Sequence, residues 1–445
     1  MSDDKDRKGR RQSRVPVTRT GRLLRLGLTA GGLAVGGLSE GLKRLGRGEG
    51  MARAGAAIFS GENAKRLARQ LAHMRGAAMK LGQLLSLESE HLLPPEFAEA
   101  LALLRRSADV MPVSQVRGVL GREYGKGWEA RFESFDFEPA AAASIGQVHR
   151  AVALDGRRLA LKIQYPGVAK SIDSDVDNLA MFLNVARLLP RALDVKDIIT
   201  EAKRQLRQEA DYIAEAASLE RFAALLADDP RFVVPGVHRD LSTRRVLAMD
   251  WVEGEPLETL VAEGAEQSTR DAAAAALEDL TFRELFEFGF MQTDPNFANY
   301  VLLGDGRIGL LDFGAATEFS ADFVERYRRI TQAIVADDRE RVRSVAAEIG
   351  YLHGTDSARH QDRIVNIIFL ACEPLTVEGP YDYGASDLPR RATAAGFDLV
   401  FGSREFRNPP AATAVLHRKL LGSFLLSQRL KARVDVRRLL LPRLQ

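Results

Sequence analysis

The chain of 445 residues contains one cysteine, Cys372, and aromatic side chains make up only 7% of it. A single cysteine excludes a disulfide framework and a zinc site made of cysteine thiolates. The seven histidines are scattered without the spacing of metal ligands, which argues against an intrinsic metal cage. No apolar run reaches the roughly 20 residues that a helical membrane crossing needs, so a polytopic membrane protein is not expected. With 46% hydrophobic and 28% charged residues, the composition is that of a globular protein.

Positive charge is concentrated at the amino-terminal end. The net charge of the chain is +3, whereas residues 1–25 hold nine Lys or Arg and three Asp or Glu, a charge of +6. The remainder is therefore slightly acidic and gives no reason to expect nucleic acid as a partner. Residues 26–39 are uncharged and glycine-rich, but too few to span a bilayer. We expect residues 1–50 to form a basic, flexible tail, which is either a linker or a segment on an anionic membrane surface.

A helical pattern begins near Glu62 and predicts an extension over residues 51–106. Apolar residues there recur at steps of three and four, as on one face of a long helix, at Leu67, Leu71, Met74, Ala78, Leu81 and Leu85. Lys80 and Gln83 are three residues apart and lie side by side on a neighbouring face. Pro94 and Pro95 end this helix.

Residues 140–163 predict two strands joined by a two-residue turn at Asp155–Gly156. The first strand opens with the spacing of a kinase glycine-rich loop, with alanine at the first two glycine positions. The second strand ends in Lys162, at the place of the kinase phosphate-binding lysine, and a lysine among apolar residues needs an anionic partner. We expect ATP to contact Lys162 and the loop, namely Ala141, Ala143, Ser144, Gly146 and Val148.

The next segment, residues 198–226, is predicted to be helical. A kinase takes one glutamate from such a helix to hold the strand lysine against the phosphates. Glu215 is the expected partner of Lys162, because its alanine neighbours permit close packing. A later strand runs into the link between two lobes, where the backbone around Asp250 and Val252 is expected to meet the adenine.

The most specific pattern lies between residues 290 and 315. Asp294 and Asn299 are five residues apart, and Asp312 follows thirteen residues later in Asp-Phe-Gly, after a hairpin turn at residues 304–306. This is the order and spacing of the kinase catalytic loop and its metal ligands. Asn299 and Asp312 are therefore predicted to hold Mg²⁺, and Asp294 to face the attacking hydroxyl or water.

These motifs, taken together, resemble the UbiB/AarF-domain (ABC-one-type) atypical kinases of coenzyme Q biosynthesis. The resemblance rests on Lys80–Gln83, the alanine-rich loop, Glu209 and Asp211, and the segment QTDPNFAN at residues 292–299, and it covers about residues 15–430. It implies an ATPase or small-molecule kinase that uses ATP and Mg²⁺, and helices of the Lys80–Gln83 motif that block protein substrates. The implied partners are anionic membrane lipid, isoprenoid quinone precursors and other ubiquinone-biosynthesis proteins, with a homodimer left open.

The predicted fold is α+β, a two-lobed protein-kinase-like domain with an amino-terminal lobe at 107–253 and a carboxyl-terminal lobe at 254–445. Gln292 and Thr293 replace the usual His-Arg of the catalytic loop, and no Ala-Pro-Glu motif follows Asp312. The leading hypothesis is a membrane-associated atypical kinase or ATPase, cytoplasmic and peripheral on the inner face of a bacterial cell membrane. The alternatives are a protein kinase and a nucleotide-gated lipid-binding chaperone with little turnover.

Overall fold

A computed structural model describes residues 110–185, 195–402, 405, 407 and 410–445. The predictions for the tail (1–50) and for the helical extension (51–106), including Lys80 and Gln83, lie outside these residues. The chain divides into two compact units. Of the described residues, those up to Ala217 and Gly236–Trp251 form the first unit, and those in Ser218–Pro235 and Val252–Gln445 form the second. The lobe boundaries drawn from the sequence stay a prediction.

Helices make up most of the described chain. They are α1 (Val113–Tyr124), α2 (Val168–Val185), α3 (Val195–Glu209), α4 (Tyr212–Leu225), α5 (Gln267–Phe286), α6 (Ala321–Val335), α7 (Arg339–Ile349), α8 (Ala358–Ala371), α9 (Glu373–Thr376), α10 (Leu388–Gly402), α11 (Ala411–Arg429) and α12 (Val436–Leu440). Short 3-10 turns occur at Trp128–Arg131, Leu257–Val261, Phe297–Asn299 and Leu441–Arg443. Over these described helices, none combines the length and apolar character of a membrane span.

The strands are short, with two to eight residues each. They are β1 (Phe132–Phe135), β2 (Ala141–Ala142), β3 (Gly146–Ala153), β4 (Arg158–Gln164), β5 (Phe232–Val233), β6 (Val246–Asp250), β7 (Glu255–Pro256), β8 (Phe290–Gln292), β9 (Tyr300–Leu302), β10 (Ile308–Leu310), β11 (Ala316–Glu318), β12 (Tyr381–Asp382) and β13 (Arg433–Val434).

The first unit is built on an antiparallel sheet in the order β1-β3-β4-β6, with β2 paired to β3. One face of β4, including Leu159, Leu161 and Ile163, packs in an apolar cluster with Val116 of α1 and with Trp128. Because side chains alternate along a strand, Lys162 and Gln164 point to the opposite face. One face of the sheet therefore packs against the apolar core, and the polar side chains of β4 lie on the other face.

Two local predictions for this unit were wrong. The β3–β4 connection is a three-residue loop, since the Ala153 N–H donates to the Arg157 carbonyl and the Gly156 N–H to the Ala153 carbonyl. Gly156 takes a positive φ of 83° and Asp155 does not, as in a type I turn followed by a bulge, whereas a two-residue type I′ turn requires a positive φ at both residues. The alanine-rich segment is not one strand either, because β2 turns back onto β3 at residues 143–146.

The helical segment predicted at 198–226 is two helices, α3 and α4, separated at Ala210 and Asp211. The Asp211 Oδ1 accepts hydrogen bonds from the backbone N–H groups of Ile213 and Ala214, at 3.2 and 3.1 Å. An aspartate that caps the next helix competes with continuation of the previous one. The break therefore comes from one side chain that a periodicity argument does not weigh.

The second unit has a four-stranded sheet in the order β5-β10-β9-β7 and two-stranded pairs β8–β11 and β12–β13. Helix α5 is largely buried in this unit and contacts α6, α11 and α12. Residues 218–235 group with this unit, since β5 pairs in parallel with β10 and Phe222 packs against Phe290 and Phe313. The β9–β10 hairpin and the β8–β11 pair together carry the predicted catalytic loop.

Candidate active site

A buried ion pair joins Lys162 and Glu215 in the first unit. The Lys162 Nζ donates to the Glu215 Oε1 at 2.7 Å, and the two side chains are 8% and 0% exposed. Lys162 lies in the middle of β4, where Val148 of β3 and Leu247 of β6 flank it. A pair this dry is stable only while both partners are present, because one unpaired buried charge costs about 3–5 kcal/mol. The structure thus brings together the two residues that the sequence paired.

The position of Glu215 follows from the residues just before α4. The Gln164 Nε2 donates to the Ala210 carbonyl at 2.7 Å and ties the α3–α4 junction to β4. Asp211 then caps α4, and Glu215 falls in the first turn of that helix. Because Lys162 and Gln164 lie on one face of β4, both hold the same junction. Asp211 of the family motif thus has a structural role, in that it caps the helix from which Glu215 meets the strand lysine.

The alanine-rich loop forms a short flap on the sheet. Ala141 pairs with Val148, and the Ala143 N–H donates to the Gly146 carbonyl at 3.0 Å. At its tip, the Ser144 Oγ donates to the Glu209 Oε2 at 2.5 Å, so Glu209 of the family motif contacts the loop directly.

Gly146 is required by close packing. A Cβ at this position would lie 2.3 Å from the Ile163 carbonyl oxygen and 3.0 Å from the Tyr212 hydroxyl. A side chain cannot be accommodated without moving the backbone of β4, which carries Lys162. The third glycine position of the kinase spacing is thus explained here by contacts within the protein.

Asp250 and Val252 fall in different units. The Asp250 carboxylate accepts hydrogen bonds from the Gly236 N–H at 2.9 Å and from His238 Nε2 at 2.8 Å, so its side chain is engaged within the first unit. In the second unit, the Val252 Cγ1 would lie 3.0 Å from a Cβ added at Gly309 of β10. Their expected contact with adenine is through the backbone and stays a prediction.

The predicted catalytic loop runs from β8 to β9 and is dense in hydrogen bonds. The Asn299 Nδ2 donates to the Asp294 carbonyl at 2.7 Å, and the Asn296 N–H donates to the same oxygen at 2.9 Å. The Asn296 side chain also accepts from the Ala298 N–H, which caps the turn that ends at Asn299. Because Nδ2 is the donor in this bond, the Asn299 Oδ1 is the atom of that amide that could bind a metal ion.

Asn299 and Asp312 leave the β9–β10 hairpin at the same end. Tyr300 pairs with Leu310, and the Leu311 N–H donates to the Asn299 carbonyl at 2.9 Å. The Asp312 Oδ1 accepts from the Gly314 N–H at 2.9 Å. An amide oxygen and a carboxylate are the hard donors that Mg²⁺ prefers, and the ion takes its other ligands from phosphate and water. The described residues hold no group of three or more acidic, His or Cys side chains suited to a metal. The donor set therefore fits a nucleotide-borne Mg²⁺.

The aromatic ring that follows Asp312 is stacked in the interior. Phe313 packs against Phe222 of α4 at 4.4 Å between ring centroids, and Phe222 packs against Phe290 of β8 at 5.0 Å. Phe222 is seven residues after Glu215, two turns along the same helix. This packing buries the Phe313 ring in the second unit. Asp312, the preceding residue, lies at the end of the β9–β10 hairpin opposite its turn.

Sequence analysis did not identify a set of residues that contact the predicted catalytic loop. Buried Glu284 of α5 accepts from the Gln292 N–H at 3.2 Å and lies 3.0 Å from the Lys419 Nζ of α11. Burial raises the pKa of Glu284, and the nearby Lys419 opposes this shift. Arg418 of α11 donates to Thr293. No motif or spacing signals Arg418 and Lys419, since more than one hundred positions separate α11 from the loop. The one hint was the replacement of His-Arg by Gln292 and Thr293.

Comparison with known proteins agrees with this geometry. Residues 103–346 match a family model described as the ABC1 atypical kinase-like domain. The chain is 40% identical, over 96% of its length and 80% of the relative's, to "Atypical kinase COQ8B, mitochondrial" of Rattus norvegicus. It is 37% identical, over 96% and 85%, to "Atypical kinase COQ8, mitochondrial" of Saccharomyces cerevisiae. The solved complex of Rv3197 with erythromycin from Mycobacterium tuberculosis has a TM-score of 0.59 at 30% identity and covers 85% of this chain and 94% of that chain.

The chain belongs to the ABC1 atypical kinase family, because the family match covers more than half of it and the relatives match nearly all of it. The resemblance drawn from the motifs is confirmed. The kinase-like fold of mixed helices and sheets and the enzyme class of atypical kinase are confirmed with it. The roles assigned to individual site residues stay predictions.

Proposed function

We propose that the protein is an Mg·ATP-dependent atypical kinase or ATPase that supports ubiquinone biosynthesis at a membrane surface. The buried Lys162–Glu215 pair carries the proposal, because such a pair is costly and has a known use in placing nucleotide phosphates. The loop that holds Asp294, Asn299 and Asp312 supports it independently. The coenzyme Q context is supported by relatives whose names are COQ8 and COQ8B.

Each side chain has a defined task in this proposal. Lys162, oriented by Glu215, binds the α- and β-phosphates of ATP. Asn299 and Asp312 hold Mg²⁺, which supplies neutralisation of the phosphate charge. Asp294 orients the hydroxyl or water that attacks, and the three hydrogen bonds to its carbonyl keep its backbone fixed. Phosphoryl transfer depends mainly on such positioning and charge stabilisation.

A small, membrane-dissolved acceptor fits better than a protein acceptor. The chain has no Ala-Pro-Glu motif after Asp312, and Thr293 occupies the place of the loop arginine. Residues 1–25 carry a charge of +6, and each basic residue near an anionic surface contributes about 1 kcal/mol of attraction. We infer a peripheral position on such a surface, where isoprenoid phenols dissolve. In a bacterium this surface is the inner face of the cell membrane.

The proposal is tested by ATP hydrolysis of the purified full chain with and without liposomes that contain phosphatidylglycerol or cardiolipin, and with an added isoprenoid phenol. We expect anionic liposomes to raise turnover and the increase to fade towards about 0.5 M salt by screening. The full-length variant in which Arg19, Arg22 and Arg25 are replaced by Gln should lose the increase and keep its basal Mg·ATP binding.

Two outcomes would separate the proposal from its alternatives. Tight Mg·ATP binding without turnover under any of these conditions would favour the nucleotide-gated lipid-binding chaperone. Turnover that responds to added protein substrates and not to lipid or phenol would favour a protein kinase.

A further inference from the structure

Helix α11 contacts the predicted catalytic loop although it lies outside residues 103–346, which match the kinase-like family model. The Arg418 Nε donates to the Thr293 carbonyl at 3.3 Å, and its Nη2 donates to the Thr293 Oγ1 at 3.1 Å. One turn further along α11, a Cβ added at Gly422 would lie 2.3 Å from the Pro295 Cγ. The residues on both sides of Asp294 are thus held against the same helix.

Thr293 also links the loop to the segment after Asp312. Its N–H donates to the Ala315 carbonyl at 3.2 Å, and its Oγ1 donates to the same oxygen at 2.6 Å. The Thr293 hydroxyl therefore gives its proton to Ala315 and accepts one from Arg418, which uses both of its hydrogen-bonding functions. Strand pairing between Gln292 and Ala316 continues this link.

Lys419, the next residue of α11, connects the helix to the predicted catalytic loop through Glu284. Lys419 pairs with Glu284, whose other carboxylate oxygen accepts from the Gln292 N–H, and both charged side chains are at most 3% exposed. Residues 292, 293 and 295 are therefore each connected to α11, directly or through one side chain. The loop is positioned by a guanidinium and an ammonium group that belong to the same helix.

In kinases that are switched by phosphorylation, arginine side chains bind the phosphate and order the activation segment. In this chain, the place of the loop arginine holds Thr293, and the corresponding link is already made by neutral hydrogen bonds to Ala315. We propose that Arg418 is a positioning residue for phosphoryl transfer, which holds Thr293 so that the catalytic loop and the Asp312 segment are assembled without phosphorylation. This inference rests on the proposed function.

The test uses the full-length variant Arg418→Ala with Arg329→Ala as its matched control, since Arg329 makes an exposed ion pair with Glu348 of α7. We expect Arg418→Ala to lower kcat by about 10- to 100-fold, the scale of a small misplacement of reacting groups, with the KM for ATP within about twofold of wild type. Arg418→Lys keeps the charge but loses the two-point geometry, so it should recover only part of kcat. Arg329→Ala should match wild type.

A coupling measurement shows whether Arg418 acts through Thr293. Thr293→Val removes the hydroxyl at nearly constant volume, so the effect of Arg418→Ala on kcat should be much smaller in that background. Equal effects of Arg418→Ala in both backgrounds would overturn the proposed route. Phosphatase treatment of the wild-type protein should leave kcat unchanged, and a drop in kcat after treatment would show that the loop depends on phosphorylation.

Hydrogen exchange supplies a readout that does not depend on turnover. Arg418→Ala should speed amide exchange in residues 292–299 and leave exchange in β4 unchanged, whereas Arg329→Ala should do neither. If the wild-type protein binds Mg·ATP without turnover, the proposed enzymatic function fails, and faster exchange still establishes that Arg418 positions the loop. Unchanged exchange in residues 292–299 would overturn the inference whatever the activity.

Discussion

Gln292 binds both backbone groups of Asp294. Its Oε1 accepts from the Asp294 N–H at 3.1 Å, and its Nε2 donates to the Asp294 carbonyl at 2.9 Å. A glutamine amide offers an acceptor and a donor at the same time, which neither glutamate nor an ammonium group does. The residue that stands in place of the usual histidine is therefore a two-point support for the predicted catalytic aspartate.

Gln292→Glu should lower both turnover and stability. The variant loses the donor to Asp294 and puts a second carboxylate near buried Glu284, and an unsatisfied buried group costs about 1–3 kcal/mol. A lower Tm by calorimetry and a fall in ATP hydrolysis of at least about tenfold are expected. Turnover and Tm equal to wild type would show that the loop is supported adequately by Asn296 and Asn299 alone.

Asp312→Asn should abolish Mg²⁺-dependent ATP binding, because it removes an anionic ligand and keeps the shape of the side chain. Asn299→Ala should weaken binding less, since a neutral ligand is lost. Asp305→Asn is the matched control, because Asp305 lies in the exposed turn of the same β9–β10 hairpin and pairs with Arg307. A thermal-shift titration with Mg·ATP measures each effect, and retained affinity in Asp312→Asn would contradict the assigned metal site.

The Lys162–Glu215 pair allows folding and nucleotide binding to be separated. Lys162→Met leaves Glu215 buried and unpaired and should destabilise the protein by about 3–5 kcal/mol. Adding Glu215→Gln removes the remaining charge and should recover most of the Tm. Mg·ATP binding should stay lost in both variants, because no cation is left for the phosphates. If the double variant binds Mg·ATP as the wild type does, the pair is structural only.

Ala143→Gly should bind ATP more tightly than wild type. If the loop contacts ATP as predicted, the Ala143 methyl group would lie where the loop backbone approaches the phosphates, and glycine allows geometries that alanine rarely adopts. Ala142→Gly is the control, because Ala142 is the neighbouring residue of the flap and pairs with Gln147. Isothermal titration calorimetry with ATP compares the affinities of the wild type and both variants. Equal affinities in wild type and Ala143→Gly would show that the loop does not contact the nucleotide.

Linear spacing was enough to identify the kinase-like fold and to propose the main chemical groups of the candidate site. Asp294, Asn299 and Asp312 are encoded by a continuous pattern around one hairpin, and Lys162 by its strand. The structure adds contacts between residues that are far apart in the sequence, which spacing does not reveal. Arg418 contacts Thr293, which lies 125 positions earlier in the chain, and in the sequence an arginine with one distant partner looks like any solvent-facing arginine. The break at Asp211 escaped for another reason, since a single capping side chain outweighed a helical period that continues through it.

Glu278 of α5 is a buried carboxyl group whose pKa predicts a pH-dependent effect on stability. Its Oε1 accepts from the Ser427 hydroxyl at 2.8 Å and from the Tyr383 hydroxyl at 3.2 Å. Burial raises the pKa of Glu278 above its ordinary value, and these two hydrogen bonds and Lys419 oppose the shift. Because the pKa in the folded state is the higher one, the folded protein favours the protonated acid, and stability is lost as the pH rises above the unfolded value of about 4.3.

Glu278→Gln should therefore raise the Tm at about pH 8 and leave it nearly unchanged at about pH 3, where the wild-type residue is almost entirely protonated in both states. The glutamine keeps an oxygen acceptor for both hydroxyl groups. Asp279→Asn is the matched control on the adjacent position of α5, since Asp279 makes ion pairs with Arg231 and Arg443 and its loss should lower the Tm at the higher pH. A Glu278→Gln variant with a lower Tm at about pH 8 would mean that the folded protein holds this carboxylate ionised, as a second partner for Lys419.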